Sequence, residues 1–133
     1  MYSLLKIEQR NKVLQRMAAL LKQESAALLL ANQTDLKSFD ENDLAMYDRL
    51  KVDHDKIEGM IASLNQLAVQ EDPVGRELFH FTHENGLQIF NRTAAFGTVM
   101  IIYESRPDVT VEAAGIAFKS GNKILLKGGK EAY

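Results

Sequence analysis

The residues best suited to chemistry lie in two short loops of the second half. The first loop covers residues 103–107 and includes Glu104, Ser105 and Arg106; the second covers residues 127–131 and begins Lys127-Gly128-Gly129-Lys130. A Gly-Gly pair leaves backbone amides accessible, and the flanking lysines add positive charge, so the second loop is a candidate phosphate cradle. Taken alone, the pattern is more often a simple turn that follows a strand.

The histidines do not indicate a metal site, and the chain has no cysteine. His80 and His83 are three residues apart in a predicted strand, so their side chains point to opposite faces, and no Cys, Asp or third His stands nearby. His54, beside a predicted helix start, is interpreted as a surface or capping residue. The absence of Cys excludes a disulfide framework, a Cys-ligated metal and a Cys nucleophile within these residues.

The elements around the two loops are predicted to form a β-α-β unit. Residues 97–103 form an unbroken apolar run that is typical of a strand buried on both faces, as in parallel sheets. A helix of small residues follows over 111–120, with Pro107 suited to a first turn and Gly121 to a left-handed C-terminal cap. Residues 123–127 form the second strand. In such a unit, which we expect to be right-handed, ligands lie beyond the carboxyl ends of the strands, where both loops are found.

The first half is predicted to be helical. Helices are expected over 2–23, 25–38 and 44–50, and over a fourth segment that Asp53 caps, with Lys56 at its third position. In the first helix the apolar side is predicted to comprise Leu4, Ile7, Val13, Met17, Leu20 and Leu21. After a turn at 72–75, residues 78–82 and 87–92 flank an Asn-Gly pair, which predicts a β-hairpin. Nothing in the helical half indicates catalysis.

Composition limits the function further. The chain has 133 residues, a formal net charge of -2 and 46% hydrophobic residues, which suits one domain or part of a larger one. It has no apolar run of the roughly 18–20 residues that a membrane helix needs, no secretory signal and no basic cluster for nucleic acid, so we expect a cytoplasmic protein. Since it stops just after a second parallel strand, we expect a fragment or a chain that pairs with something.

One family resemblance covers nearly the whole chain. Residues 102–114, Ile-Tyr-Glu-Ser-Arg-Pro-Asp-Val-Thr-Val-Glu-Ala-Ala, resemble the characteristic N-terminal block of γ-glutamyl phosphate reductase (glutamate-5-semialdehyde dehydrogenase). The continuation over 119–122 and 126–131 is similar too. Weaker matches run upstream in the same order, at 30–32 with Asp35, at 46–50 and at 72–75.

The resemblance implies a fold and a reaction. The family belongs to the aldehyde dehydrogenase superfamily and reduces L-glutamyl 5-phosphate to L-glutamate 5-semialdehyde with NADPH, releasing phosphate, in proline biosynthesis. A Cys thiolate attacks the acyl phosphate, and the resulting thioester accepts hydride. The fold implied is α/β, with an N-terminal helical segment (1–75), a strand hairpin (76–96) and the incomplete first β-α-β unit of a Rossmann-like NADP-binding domain (97–133). Since the family's Cys lies beyond Tyr133, we expect this chain alone to be inactive.

The resemblance also implies site residues. Lys127 takes the place of a Lys that contacts the adenosine ribose, and Lys130 lies where a cation suits the 2′-phosphate of NADP. With them, Gly128, Gly129, Glu104 and Ser105 are expected to bind the cofactor, and Arg106 and Asp108 the substrate. Arg106 either binds a carboxylate or phosphate through two hydrogen bonds or forms an ion pair that holds its own loop.

Three positions depart from the family pattern, and a second function stays open. Asp108 stands where the family most often has Asn and so lacks its hydrogen-bond donor when ionised, Met100 stands where many members have Gly, and Ala95 where many have Pro. The alternative function is a non-catalytic binding or assembly module that uses the helices and the hairpin. The hairpin is also expected to support a homo-oligomer.

Overall fold

A computed structural model describes residues 5–37, 39, 43–104 and 106–129. Within these ranges the chain forms five α-helices and two separate two-stranded sheets. In chain order the elements are α1 (Ile7–Gln23), α2 (Ser25–Lys37), α3 (Leu44–Leu50), α4 (His54–Val69), β1 (Glu77–Thr82), β2 (Gln88–Arg92), β3 (Thr98–Ile102), α5 (Pro107–Lys119) and β4 (Lys123–Lys127). The mixed α/β class and the predicted order of elements are confirmed.

The core lies between α1 and α4. Its buried residues are Leu14 and Ala18 of α1 and Leu64 and Ala68 of α4, which recur at helical spacing on facing sides. The sequence prediction placed Val13 and Leu20 on the apolar side of α1, but both are 39% exposed. These two residues each precede a core-facing position by one residue, so their side chains point about 100° away from the α4 contact.

Helix α5 packs closely against this core at Gly115. A Cβ built on Gly115 would lie 2.9 Å from Cδ2 of Leu64 and 3.1 Å from Cδ1 of Leu67, both on α4. Glycine is therefore needed there for close contact rather than for an unusual backbone angle. This contact fixes the β-α-β unit to the helical layer.

Aspartate side chains cap the N-termini of α3 and α4, at the predicted starts of these helices. The carboxylate of Asp53 accepts a hydrogen bond from the Lys56 backbone N–H at 2.9 Å, which lowers the pKa of Asp53 below its ordinary value of 3.8. Asp43 caps α3 in the same way, accepting from the Met46 N–H at 3.1 Å. At the far end of α5, Gly121 has φ +74°, which agrees with the predicted left-handed cap.

A buried polar network joins α1, α5 and the turn after α4. Arg10 is only 3% exposed; its guanidinium donates to the Lys119 carbonyl oxygen and to the Asp72 carboxylate at 2.6 Å. Lys119, also 3% exposed, donates through Nζ to the Asn11 amide oxygen at 2.8 Å and to the Gln70 carbonyl oxygen at 2.7 Å. Burial lowers the pKa of Lys119. Each buried charge thus has hydrogen-bonding partners, as buried charges require.

The predicted hairpin is present and exposed. Strands β1 and β2 pair antiparallel, with His80 opposite Phe90 and Phe81 opposite Ile89. All six residues of β1 are exposed, and four of the five in β2. His80 contacts the Glu77 carboxylate at 2.7 Å and His83 contacts Asn85 at 3.1 Å.

Strands β3 and β4 pair parallel, as predicted, with Met100 beside Leu125 and Ile102 beside Lys127. The expectation that β3 is buried on both faces is wrong for the part of the chain that the structure describes. Met100 is 56% exposed and Ile102 70%. Helix α5 packs against the strand pair through β4, and Val99 and Ile101 are half-buried on one face of β3, whereas Met100 and Ile102 on the other face stay exposed.

Candidate functional site

The carboxyl ends of β3 and β4 open onto a cavity of about 470 Å³. The strand ends and α5 provide one wall, and α1, α2 and α4 with the segment between α3 and α4 provide the other. The lining is mostly apolar, with polar groups from both loops and from α2. It consists of Leu21, Leu28, Ala31, Asn32, Asp35, Leu50, Val52, Ile57, Met60, Tyr103, Arg106, Pro107, Thr110, Val111, Leu126, Gly128 and Gly129. A concave, largely apolar pocket with a few convergent polar groups is typical of a ligand site.

Tyr103 joins the two loops at the mouth of this cavity. Its backbone N–H donates to the Lys127 carbonyl oxygen at 3.0 Å, which extends the β3–β4 pairing by one residue. Its hydroxyl lies 2.5 Å from the Thr110 hydroxyl on α5. A Cβ on Gly128 would lie 3.7 Å from the Tyr103 ring, an ordinary contact. Contact with Tyr103 therefore does not require a glycine at position 128.

Arg106 lines the cavity as the N-cap residue of α5. Its guanidinium donates to the Asp108 carboxylate at 3.1 Å, and its side chain is 55% exposed. Asp108 lies in the first turn of α5, where the helix dipole favours a negative charge. The structure therefore shows the ion pair that holds the loop, and the guanidinium keeps enough exposure to meet a ligand as well.

Glu104 lies outside the cavity lining. Its carboxylate accepts a hydrogen bond from Arg49 of α3 at 2.9 Å, and the two side chains are 72% and 51% exposed. Arg49 belongs to the 46–50 segment that carried part of the resemblance, but sequence reasoning gave it no role. Its spacing of 55 residues from Glu104 offers no local signal, so only the fold reveals the contact.

The remaining predicted residues are those at and just after the end of β4, together with Ser105. Lys127 is the last residue of β4 and is exposed, with its side chain on the uncovered face of the sheet rather than in the cavity. Gly128 and Gly129 line the cavity. Ser105 and Lys130 lie outside the residues that the structure describes.

Asn32 is a site residue for which sequence reasoning proposed no function. Its side chain is 6% exposed; it donates to the Leu50 carbonyl oxygen at 2.9 Å and accepts from the Val52 N–H at 2.7 Å. These two bonds satisfy backbone groups between α3 and α4 and fix the cavity wall. Asn32 is the buried residue of α2, and only the fold reveals that burial.

The described residues provide neither a cluster of metal ligands nor a membrane-spanning helix. Among the described ranges, no group of three or more His, Cys, Asp or Glu residues could hold a metal ion. No described helix is both long and apolar enough to cross a membrane.

Comparison with known proteins points to one family. The chain is 43% identical over 125 residues to γ-glutamyl phosphate reductase of Sulfurovum sp. (strain NBC37-1), covering 92% of this chain. It is 45% identical over 127 residues to that of Nautilia profundicola, covering 94%. The crystal structure of γ-glutamyl phosphate reductase from Thermotoga maritima matches with a TM-score of 0.89 and 35% identity over 96% of this chain. Over nearly its whole length, this chain is similar to the N-terminal part of γ-glutamyl phosphate reductases.

The correspondence is partial on the relatives' side. The chain spans 30% of the Sulfurovum reductase, 31% of the Nautilia reductase and 31% of the Thermotoga crystal structure. A second crystal structure, the reductase of Saccharomyces cerevisiae, matches with a TM-score of 0.85 and 33% identity over 96% of this chain and 33% of its own. No protein-family model matches the chain.

Proposed function

We propose that this chain supplies the N-terminal helical layer and the first β-α-β unit of an NADPH-dependent reductase. The reaction is the conversion of L-glutamyl 5-phosphate to L-glutamate 5-semialdehyde with release of phosphate, a step in proline biosynthesis. The chain contains no Cys. The thiolate that attacks the acyl phosphate therefore belongs to the part of the reductase that has no counterpart here, and the 133 residues alone have no turnover.

One observation carries the proposal. Two loops that are more than 20 residues apart in sequence both line one cavity at the carboxyl ends of parallel strands, where α/β sheets bind ligands. The same loops carry the specific part of the family resemblance. Fold and motif thus point to the same end of the sheet.

The β4 loop is the proposed cofactor side. Gly128 and Gly129 line the cavity, and Lys127, exposed on the uncovered face at the end of β4, is assigned to an adenosine ribose that lies outside the cavity. We assign Lys130 to the 2′-phosphate that distinguishes NADP from NAD, since a cation there favours the extra charge. NADP is the nicotinamide cofactor that this loop suits best.

The β3 loop is the proposed substrate side. Arg106 can turn from Asp108 to a carboxylate or phosphate of the substrate, because Arg106 lines the cavity and its side chain is 55% exposed. Glu104 and Ser105 complete the loop next to the nicotinamide end. Asp108, at the place of the family's usual Asn, acts as the acceptor that holds Arg106 in the absence of substrate.

Titration with NADPH tests the cofactor assignment. We expect saturable binding that Lys127→Ala weakens about tenfold, the value of one charge-assisted hydrogen bond. Lys123→Ala is the matched control, since Lys123 occupies the opposite end of the same strand on the same face. Equal effects of the two substitutions would refute the assignment of Lys127. Absent binding together with a concentration-dependent dimer would favour the alternative, an assembly module.

The hairpin supports a second, compatible role in assembly. Leu78, Phe79, Phe81, Leu87 and Phe90 are each 48–58% exposed, and apolar surface exposed in this way marks sites of interaction. We propose that it forms a homo-oligomer contact of the reductase. Light scattering on the chain and on Phe81→Lys tests this: the substitution should abolish any concentration-dependent increase in mass, and a mass unchanged by it would refute the contact.

A further inference from the structure

One ion pair joins the helical layer to the β3 loop. Arg49 of α3 donates through Nη1 to the Glu104 carboxylate at 2.9 Å, across 55 residues of sequence. Both side chains are exposed, so the pair contributes little to the stability of the fold. Glu104 stands two residues before Arg106, which is proposed to bind the substrate, so the pair matters for the site rather than for the fold.

Arg49 extends from a firmly held part of the helical layer. The next residue, Leu50, is fully buried. The Asn32 side chain donates to the Leu50 carbonyl oxygen at 2.9 Å and accepts from the Val52 N–H at 2.7 Å. These contacts fix the end of α3, so Arg49 holds the Glu104 carboxylate from a rigid base.

The same pair balances the charge of the β3 loop. Two acids flank Arg106 in sequence, Glu104 and Asp108, and Arg106 itself is paired with Asp108 at 3.1 Å. The α-carbons of Glu104 and Arg106 are at most about 7 Å apart, because only two residues of chain separate them. That distance is less than the Debye length of about 8 Å at physiological ionic strength, so salt does not screen these charges from each other. Without Arg49, the Glu104 carboxylate would repel an anion at Arg106 and compete for its guanidinium.

We propose that Arg49 is a positioning residue of the substrate site: it neutralises Glu104 and keeps that carboxylate occupied, so that the Arg106 guanidinium can bind the carboxylate or phosphate of the substrate. This inference rests on the proposed function, which assigns Arg106 to the substrate. It adds a residue outside the cavity lining that sets the affinity for the substrate. Arg49 acts through Glu104 and does not itself contact the substrate.

Phosphate titration of the 133-residue chain tests this role. Inorganic phosphate is the probe, because it is the group that the proposed reaction releases, and the Arg106 side-chain Nε–H resonance in heteronuclear NMR reports binding at that residue. We expect Arg49→Ala to weaken phosphate binding about fivefold, the upper value for an exposed charge pair. The double variant Arg49→Ala/Glu104→Gln should bind phosphate within about twofold of the parent chain, since it also removes the acid that Arg49 neutralised.

Arg92→Ala is the matched control. Arg92 also belongs to an exposed Arg–Glu pair, with Glu77 at 3.1 Å, but it lies in β2 and outside the cavity lining. Its substitution removes the same charge and should change the phosphate affinity by less than about twofold. Thermal unfolding checks that each variant folds, because the loss of an exposed pair lowers the melting temperature only slightly.

Restored binding in the double variant separates this role from a structural one, since a contact that merely tied the loop would be lost in both variants. The inference is overturned if the parent chain and Arg49→Ala bind phosphate equally, or if the double variant binds as weakly as Arg49→Ala. Equal losses in Arg49→Ala and Arg92→Ala also overturn it, because they would reflect net charge alone.

Two further results separate the inference from the proposed function. If the Arg106 resonance of the parent chain does not respond to phosphate, the inference fails together with the assignment of Arg106 to the substrate. If the expected pattern is found in the chain, but a fusion of the chain to the remaining part of the Thermotoga reductase does not reduce the substrate, the role of Arg49 is supported and only the reductase activity is refuted.

Discussion

The contact at Gly115 allows one substitution to be worked through in energy. A methyl group there would lie 2.9 Å from Cδ2 of Leu64, against an ordinary carbon–carbon separation of about 3.5–4.0 Å. Leu64 is fully buried, with Leu14 also fully buried beside it, so its methyl has little room to retreat. Overpacking of this kind costs about 1–3 kcal/mol. The gain in helix propensity from Gly to Ala is about 1 kcal/mol. We expect Gly115→Ala to lower the free energy of unfolding by about 1 kcal/mol net.

Gly59→Ala is the matched control. Gly59 lies in the interior of α4, and a Cβ there would have no neighbour within 4 Å. The same substitution should therefore stabilise the chain by up to about 1 kcal/mol, because only the propensity term remains. The two variants should differ by about 2 kcal/mol, or about 8 °C in melting temperature for a chain of this size.

Urea and thermal unfolding followed by circular dichroism measure the difference. If the slope of the unfolding free energy against urea concentration is unchanged, the surface exposed on unfolding is the same and the substitution has changed only the stability. If Gly115→Ala stabilised the chain as much as Gly59→Ala, α5 would not approach α4 at Gly115, and the placement of Arg106 at the cavity would lose its support.

Two other substitutions test the polar groups that shape the cavity and its support. Asn32→Asp replaces the amide that donates to the Leu50 carbonyl oxygen with a carboxylate, so it should lower the free energy of unfolding by about 2–3 kcal/mol at pH 7. The loss should shrink at acid pH, because a protonated carboxyl can donate again. A loss of stability that does not depend on pH in thermal unfolding would contradict this. At Asp72, partial burial opposes the charged form, but the Val74 N–H and the Arg10 guanidinium outweigh it and hold the pKa below 3.8. Its stabilising effect is therefore complete above about pH 4 and lost as pH falls through the lower folded value. Asp72→Asn should cost about 2 kcal/mol at pH 7 and flatten the loss of stability below pH 4, as measured by urea titration; an unchanged acid slope would assign that loss to other groups.

Local patterns sufficed to predict most elements of the fold. Asp53, the Asn-Gly turn and Gly121 each act on neighbouring backbone, so their effect can be read from a few residues. The two loops that follow β3 and β4 could also be placed from the sequence, because a β-α-β pattern brings the carboxyl ends of both strands together.

Contacts between distant residues could not be predicted in this way. Arg10 with Lys119, 109 residues apart, and Arg49 with Glu104 depend on how the helices stack rather than on any local pattern. The burial of Asn32 likewise arises from the link between α3 and α4. The expectation for β3 was wrong on one face because an apolar run shows that a strand can be covered, not which part of the protein covers it.

Reductase activity tests the central claim most directly. The 133-residue chain, the fusion to the remaining part of the Thermotoga reductase, and that remaining part alone are assayed with NADPH and L-glutamyl 5-phosphate, following NADPH absorbance. We predict turnover by the fusion and none by the 133-residue chain, which has no Cys to attack the acyl phosphate. Turnover by the isolated chain would contradict the account, as would a folded, NADPH-binding fusion that fails to reduce the substrate.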